Sequence, residues 1–145
     1  TLRRAVETAQ AVAAQHRLNV CRDERLMEIN LGEWEGLLYQ QIAAQYPDLL
    51  RQWEADPRSV RPPKGESIQE LEERVLAVLE EIAQAYRAET VCLIGHKVTN
   101  GIIRSHYLGL PLVEALRGEP AHAACEVIEL PYSFIPSPYP HSILR

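Results

Sequence analysis

The sequence has few of the features that would place it outside ordinary globular proteins. It contains only three cysteines, at the widely separated positions 21, 92 and 125. This odd number and wide spacing argue against a disulfide framework and a zinc site, so we expect buried free thiols in a reducing cytosol. The sequence also lacks a run of about 18 apolar residues, which argues against a membrane span, and it lacks a secretory signal. We therefore predict a cytoplasmic protein.

The sequence also lacks an excess of positive charge. It has 15 Lys and Arg against 20 Asp and Glu, for a net charge of -5 at pH 7. Clustered basic residues bind nucleic acids and anionic membranes, so this balance argues against both as partners. A pocket for a small anion needs only a few cations and stays compatible with this charge. At 145 residues, the chain suits a single domain over 1–145 with one hydrophobic core.

The apolar pattern predicts helices that alternate with short strands. The predicted helices lie at about 2–16, 39–54 with an interruption at Pro47, 67–86 and 98–108. The predicted strands are a short one early in 18–36, then Thr90–Ile94 and Cys125–Leu130. This alternation indicates an α/β protein with a mainly parallel sheet. Neither a P-loop nor a dinucleotide-binding glycine motif is present, which excludes those two nucleotide-binding classes.

The strongest local signal for chemistry is the pair Gly95 and His96, between a predicted strand and a predicted helix. Ligands of α/β sheets bind at the carboxyl ends of strands. The free N–H groups of a helix N-terminus there suit a phosphate. This position predicts that the imidazole of His96 contacts a bound phosphoryl group. A purely structural turn histidine is the alternative that the pattern alone leaves open.

Two further patterns point to a phosphate. Arg3 and Arg4 stand in the first turn of a predicted helix, where a cation is unfavourable unless an anion lies nearby. A guanidinium also binds phosphate through two parallel hydrogen bonds. The loop MEINLGEWEG holds Glu28, Glu33 and Glu35, and a carboxylic acid beside a phosphate is suited to protonate a leaving alkoxide. Taken singly, each pattern is also typical of a solvated surface.

Four segments together resemble the histidine phosphatase superfamily, which is phosphoglycerate-mutase-like. They are, in chain order, TLRRAVETA, MEINLGEWEG, PPKGESIQELEERV and LIGHKVTNGIIRSHYLGLP, and they cover about residues 1–111. The resemblance implies a three-layer αβα fold with a mainly parallel sheet. It also implies phosphoryl transfer through a covalent phosphohistidine, which is nucleophilic catalysis.

The resemblance also implies roles for particular residues. Arg4 matches the arginine that binds phosphate, whereas Arg3 stands at a variable position. His96 matches the second active-site histidine, which stabilises charge in the transition state. Glu28 matches the proton donor, and the other two carboxylates of its loop match ordinary loop residues. Lys97 replaces a usual glycine and is either a second phosphate ligand or a solvated side chain. The resemblance implies no cofactor and no metal, and the five histidines show no ligand spacing.

One motif of the family is missing. The nucleophile of the family lies in an R-H-G motif at the end of the first strand, and no R-H-G occurs in this sequence. A strand, a phosphate loop and a helix amount to roughly 40–60 residues. We therefore expect an N-terminally incomplete domain that lacks its first strand and is inactive alone. The exposed sheet edge that such a loss leaves is a candidate surface for a homodimer.

Three functions are compatible with this resemblance. A phosphatase that acts on a small phosphorylated metabolite ranks first. A phosphoglycerate mutase ranks lower because of the length of one connection. The segment MEINLGEWEG, called the tryptophan loop below, is separated by only 28 residues (37–64) from the Gly-Glu-Ser that begins at Gly65. Glycolytic mutases carry a longer insertion there. The third is an inactive module that binds phosphate or a partner. Retention of Arg4, Glu28 and His96 argues against it, since such a module needs no acid.

Overall fold

The computed structural model describes residues 2–117 and 125–130, and these residues form six α-helices. They are α1 (Arg3–His16), α2 (Tyr39–Gln45), α3 (Pro47–Ala55), α4 (Ile68–Ala85), α5 (Lys97–Leu108) and α6 (Leu112–Arg117). The predicted helices are confirmed, including the break at Pro47. Proline has no N–H to donate within a helix, so Pro47 ends the continuity with α2 and begins α3 as its first residue.

Helix α4 supplies most of the hydrophobic core. Its N-terminus is a capping box, in which the Ser67 side chain accepts from the Glu70 amide and the Glu70 carboxylate accepts from the Ser67 amide. One face of α4 is buried, and it carries Ile68, Leu71, Val75, Val78 and Leu79. Each fully buried apolar side chain of this size stabilises the fold by about 1.5–3 kcal/mol.

Helices α5 and α6 pack beside α4 and complete the core. Ile102 and Ile103 of α5 and Leu112 of α6 join the α4 face in one buried cluster, together with Ile29 from the loop before α2. Gly101 permits the close approach of α6, because a Cβ there would lie 2.5 Å from Leu116 Cδ2. Helix α5 ends at Gly109, whose left-handed φ of 68° is the C-cap that the sequence predicts.

The predicted parallel sheet is absent from residues 2–117 and 125–130. The segments predicted as strands, which are the early part of 18–36, then 90–94 and 125–130, contain no strand. They form no backbone ladder with one another, and an extended segment without a ladder partner leaves its N–H and C=O groups to water. Some of their apolar side chains are exposed, for example Leu18 at 66% and Val127 at 87%, whereas Leu93 and Ile128 are partly buried against the core.

The three cysteines are free and exposed, so the prediction of buried thiols is wrong. Cys92 and Cys125 lie in two of the segments that the sequence predicts as strands, and Cys21 lies in the third. Within the described ranges these segments do not pair into a sheet, so the three thiols are not enclosed between layers. The same unpaired backbone thus explains both differences from prediction.

Two loops interlock beside the core. The Glu33 amide donates to the Pro63 carbonyl at 2.9 Å, and the Glu66 amide donates to the Asn30 carbonyl at 2.7 Å. Gly32 has a φ of +55°, and a Cβ on it would lie 2.2 Å from the Pro63 oxygen. The tryptophan loop and the loop before α4 therefore form one unit, which requires glycine at this position.

None of the helices in the described ranges is both long enough and apolar enough to cross a membrane.

The capping box of α4 leads to the first prediction. Ser67→Ala removes the acceptor for the Glu70 amide and is expected to lower the free energy of unfolding by about 1 kcal/mol. Urea denaturation followed by circular dichroism measures this loss. Ser59→Ala is a suitable control, since Ser59 donates only to the Asp56 carbonyl in an exposed turn. Equal stability of Ser67→Ala and the wild type would show that the cap contributes nothing.

Candidate active site

His96 lies where the chain enters α5. It is the residue before the helix and is 8% exposed, so its ring is largely shielded from water. A Cβ on the preceding Gly95 would lie 2.2 Å from Asn100 Oδ1, so a larger residue there would displace the Asn100 side chain. The backbone amide of Asn100 donates to the His96 carbonyl at 2.7 Å, which is the first hydrogen bond of the helix. His96 is therefore the N-cap residue of α5, with its imidazole at the helix N-terminus.

Arg4 of α1 contacts this imidazole across 92 residues of sequence. Its Nη2 lies 3.3 Å from His96 Nδ1. A guanidinium only donates hydrogen bonds, so Nδ1 must accept and the neutral ring carries its proton on Nε2. His96 is therefore set to donate a hydrogen bond from Nε2.

The neighbouring Arg3 is directed elsewhere. It forms an ion pair with Glu7 at 2.6 Å, and its side chain is 91% exposed. The two adjacent arginines therefore have different surroundings, since Arg4 contacts the imidazole of His96 and Arg3 lies at the surface. The residue pattern alone does not distinguish them, whereas the family resemblance does.

The environment of His96 favours the neutral ring. Burial lowers the pKa of His96, because the charged form loses solvation, and the positive charge of Arg4 lowers it further. The negative charge of Glu28 acts in the opposite direction and raises the pKa. The net pKa lies below the ordinary value of 6.5, so the ring is neutral at pH 7.

Glu28 reaches the same helix terminus from the loop before α2. Its carboxylate accepts from the Val98 amide at 3.1 Å, and from the Thr99 amide at 3.1 Å. The buried Thr99 hydroxyl lies 3.3 Å from Glu28 Oε1 and donates to the Met27 carbonyl at 2.9 Å. The amides of a helix N-terminus stabilise negative charge, which explains why Glu28 is held beside His96.

The other two carboxylates of the loop are engaged elsewhere. Glu33 pairs with Lys64 Nζ at 2.6 Å and accepts from the Tyr46 hydroxyl at 2.8 Å. The hydrogen bond from Lys64 is the main cause that lowers the pKa of Glu33, and the one from Tyr46 lowers it further. Glu33 is therefore a poor general acid. Glu35 accepts from the Leu31 amide at 3.1 Å within its own loop. Of the three, Glu28 is the one that contacts the N-terminus of α5.

The structure therefore brings Arg4, His96 and Glu28 together at one helix terminus. Lys97 is the exposed first residue of α5 and follows His96 directly. Thr99 is part of the arrangement but is missed by sequence reasoning, although its place in the first turn of α5 was an available signal. The described ranges contain no cluster of three or more His, Cys, Asp or Glu side chains that could hold a metal ion.

The contact between Arg4 and His96 leads to a second prediction. Arg4→Met is expected to raise the pKa of His96, because it removes a nearby positive charge that lowers this pKa. A titration of the His96 ring by NMR measures the change. Arg3→Met is the matched control and should leave the pKa of His96 unchanged. A pKa that falls or stays constant in Arg4→Met would show that the two groups are not in contact in solution.

Comparison with known proteins identifies the class of protein that this arrangement represents. Residues 1–133 match the histidine phosphatase superfamily (branch 1). The chain belongs to this family, as the four sequence motifs predicted.

Particular relatives agree with this assignment. Phosphoserine phosphatase 1 from Hydrogenobacter thermophilus is 32% identical over 111 residues, which are 77% of this chain and 53% of that protein. The solved structure of YhfR from Bacillus stearothermophilus has a TM-score of 0.74 and 30% identity, over 83% of this chain and 59% of that one. A mycobacterial glucosyl-3-phosphoglycerate phosphatase has a TM-score of 0.69 and 28% identity, over 80% and 59%.

These relatives are considerably longer than the chain. The chain spans 53% of phosphoserine phosphatase 1 and only 26% of another curated relative. The structural neighbours have the histidine phosphatase fold, which fits the predicted α/β class. The described residues contain helices and no sheet, so the three-layer arrangement with a parallel sheet stays a prediction.

Proposed function

We propose that this chain is part of a phosphatase that hydrolyses a small phosphorylated metabolite through a phosphohistidine intermediate. The observation that carries the proposal is the meeting of Arg4, His96 and Glu28 at the N-terminus of α5. A guanidinium, a neutral imidazole and a carboxylate at a helix terminus supply a phosphate ligand, a hydrogen-bond donor and a proton carrier.

Each group has a separate task in the proposed reaction. The nucleophilic histidine comes from a segment outside residues 1–145 and attacks phosphorus as the substrate P–O bond breaks. Arg4 holds the phosphoryl oxygens, and Lys97 is a second cation at the same helix start. His96 donates from Nε2 to a phosphoryl oxygen, so that the charge of the transition state is stabilised.

Glu28 is the proposed carrier of the proton. Like-charge repulsion from the bound phosphate dianion favours protonation of Glu28 despite the helix amides. Glu28 then delivers this proton to the leaving alkoxide, which departs as the alcohol. The resulting carboxylate then accepts a proton from the water that attacks the phosphohistidine, and inorganic phosphate and the free histidine are released. The cycle returns Glu28 to its protonated form and requires neither a metal nor an organic cofactor.

The names of the relatives support this substrate class. One relative is a phosphoserine phosphatase and another is a glucosyl-3-phosphoglycerate phosphatase. Both names refer to small phosphorylated molecules, and both belong to proteins that match most of this chain. The chain covers 53% of phosphoserine phosphatase 1, so we assign the proposed activity to the full-length protein and not to residues 1–145 alone.

The test compares the full-length protein with residues 1–145 alone. We expect the full-length protein to hydrolyse p-nitrophenyl phosphate and to form a phosphoenzyme that is stable to base and labile to acid. Residues 1–145 alone are expected to show neither activity. Hydrolysis by 1–145 at the full-length rate would contradict the proposal, because the nucleophile would then lie within these residues.

The same experiment separates the proposal from the inactive-module alternative. Isothermal titration with inorganic phosphate measures affinity independently of turnover. A full-length protein that binds phosphate but neither hydrolyses esters nor forms a phosphoenzyme would overturn the phosphatase assignment. Retention of binding in that case would identify a phosphate-binding module instead.

A further inference from the structure

Arg74 of α4 is the most highly connected side chain near Glu28. Its Nε and Nη2 pair with the two carboxylate oxygens of Glu66, at 2.6 Å and 2.8 Å. Both side chains are largely buried, at 22% and 16% exposed. A paired guanidinium and carboxylate in this geometry are held rigidly, since two parallel bonds fix their common plane.

The same guanidinium also holds the backbone that leads to Glu28. Arg74 Nη1 donates to the carbonyls of Arg25 and Met27, at 2.5 Å and 2.8 Å. Its Nη2 lies 3.3 Å from the Glu28 carbonyl itself. All three guanidinium nitrogens are thus engaged, and three carbonyls within four residues depend on one side chain. These contacts use the five N–H donors of a planar guanidinium, and the ammonium of a lysine has only three.

Glu66 holds the chain on the other side of Glu28. Its carboxylate accepts from the Asn30 amide at 3.2 Å, while its own amide donates to the Asn30 carbonyl at 2.7 Å. The backbone is therefore fixed before and after Glu28 by one ion pair. Side-chain rotation is the main freedom that Glu28 retains, and the amides of α5 restrict it.

We infer that Arg74, together with Glu66, is a positioning residue that sets Glu28 at the N-terminus of α5 beside His96. Its consequence for catalysis rests on the proposed function, in which Glu28 carries the proton. A proton carrier must lie within hydrogen-bond reach of its partner, and a displacement of about 1 Å can lower turnover by roughly 100-fold. The pair on α4 supplies this precision without contacting the substrate.

A second pair of an arginine with a glutamate, in which only the glutamate lies on α4, provides a matched control. Arg58 binds the carboxylate of Glu72 through both Nη1 and Nη2, at 2.5 Å and 2.9 Å. It therefore resembles Arg74 in forming a two-pronged pair with a glutamate. Its ion pair with Glu72 lies away from residues 25–30, so Arg58→Met removes a two-pronged ion pair without releasing Glu28.

The first test measures the position of Glu28 without any turnover. In the purified protein, Arg74→Met should move the NMR signals of the Val98 and Thr99 amides upfield, because their bonds to Glu28 weaken. It should also lower the pKa of His96 further, since the charge of Glu28 raises this pKa. Arg58→Met should leave both readouts unchanged. Unchanged amides and an unchanged His96 titration in Arg74→Met would overturn the inference.

The second test measures the consequence for catalysis in the full-length protein. Arg74→Met is expected to lower kcat roughly 10- to 100-fold while KM changes less than twofold, because phosphate binding through Arg4 is untouched. Arg74→Lys keeps the charge but not the fork, so it should restore only part of kcat. If Arg74→Met does not fold, both tests are made with Arg74→Lys alone.

The two tests distinguish failure of this inference from failure of the proposed function. A wild-type protein without turnover would contradict the proposed function, but the amide and His96 readouts would still report on Glu28. An equal loss of kcat in Arg74→Met and Arg58→Met would show a general structural effect and overturn the positioning role. Full kcat in Arg74→Lys would also overturn it, since a single ammonium cannot hold three carbonyls and a carboxylate.

Discussion

His96→Asn in the full-length protein is expected to lower kcat by about 100- to 1,000-fold, because a hydrogen-bond donor to the transition state is lost. Asparagine is polar and smaller, so the buried position stays occupied without a charge. The free energy of unfolding should change by no more than about 1 kcal/mol. Steady-state hydrolysis of p-nitrophenyl phosphate and urea denaturation measure the two quantities.

His106→Asn is the control for this experiment. His106 lies on the same helix, α5, but is exposed and near the opposite end from His96. Its replacement should leave kcat within twofold of the wild type. Near-normal turnover in His96→Asn, with His106→Asn also normal, would show that His96 is a structural turn residue. The site assignment would then have to be abandoned.

Gly32→Ala is expected to have the largest effect on stability, with a loss of roughly 3 kcal/mol or more in the free energy of unfolding. Two costs combine at this position. The φ of +55° is unfavourable for any side chain, and the added Cβ would lie 2.2 Å from the Pro63 oxygen and 2.5 Å from the Gly65 nitrogen. Both obstacles are backbone atoms, so the two loops must separate. Thermal and urea denaturation measure the loss.

Gly36→Ala separates the two costs. Gly36 also has a positive φ, of +76°, but no atom lies within 4 Å of a Cβ placed there. This variant therefore bears the conformational cost alone, which is about 1–2 kcal/mol. The difference between the two variants measures the contact between the loops. Equal losses in both would mean that the loops are not interlocked in solution.

The helices were predictable because their signals are local. The steps of three and four between apolar residues predicted α4, and Ser67 and Glu70 predicted its capping box, which the structure confirms. Pro47 predicted an interruption of a helix and Gly109 predicted a helix end, both for reasons of backbone conformation. Each of these signals acts between residues fewer than five positions apart.

The strands were not predictable in the same way. An apolar run such as Thr90–Ile94 shows that a segment can be a strand, but the strand exists only when a neighbouring backbone pairs with it. In the residues that the structure describes, these segments have no ladder partner and are at most partly buried. The burial of the cysteines depended on the same pairing and was wrong for that reason.

The site shows the same division between local and long-range information. The sequence and its family motifs singled out Arg4, Glu28 and His96, but the residues alone did not distinguish Glu28 from the two other carboxylates of its loop. The structure does so through hydrogen bonds to Val98 and Thr99. Nothing in the local pattern around Arg74 indicated a role, because the three carbonyls that it holds beside Glu28 are 46 to 49 residues away.

The sequence by itself determined the helices of this protein, their caps, the family and the residue types of the candidate site. Periodicity, capping and backbone conformation are properties of neighbouring residues, so they can be read before the chain is folded. Only the tertiary structure decided which arginine meets His96, which glutamate reaches α5 and which ion pair holds that glutamate in place. Those choices depend on contacts between distant segments, whose geometry arises when the core brings them together.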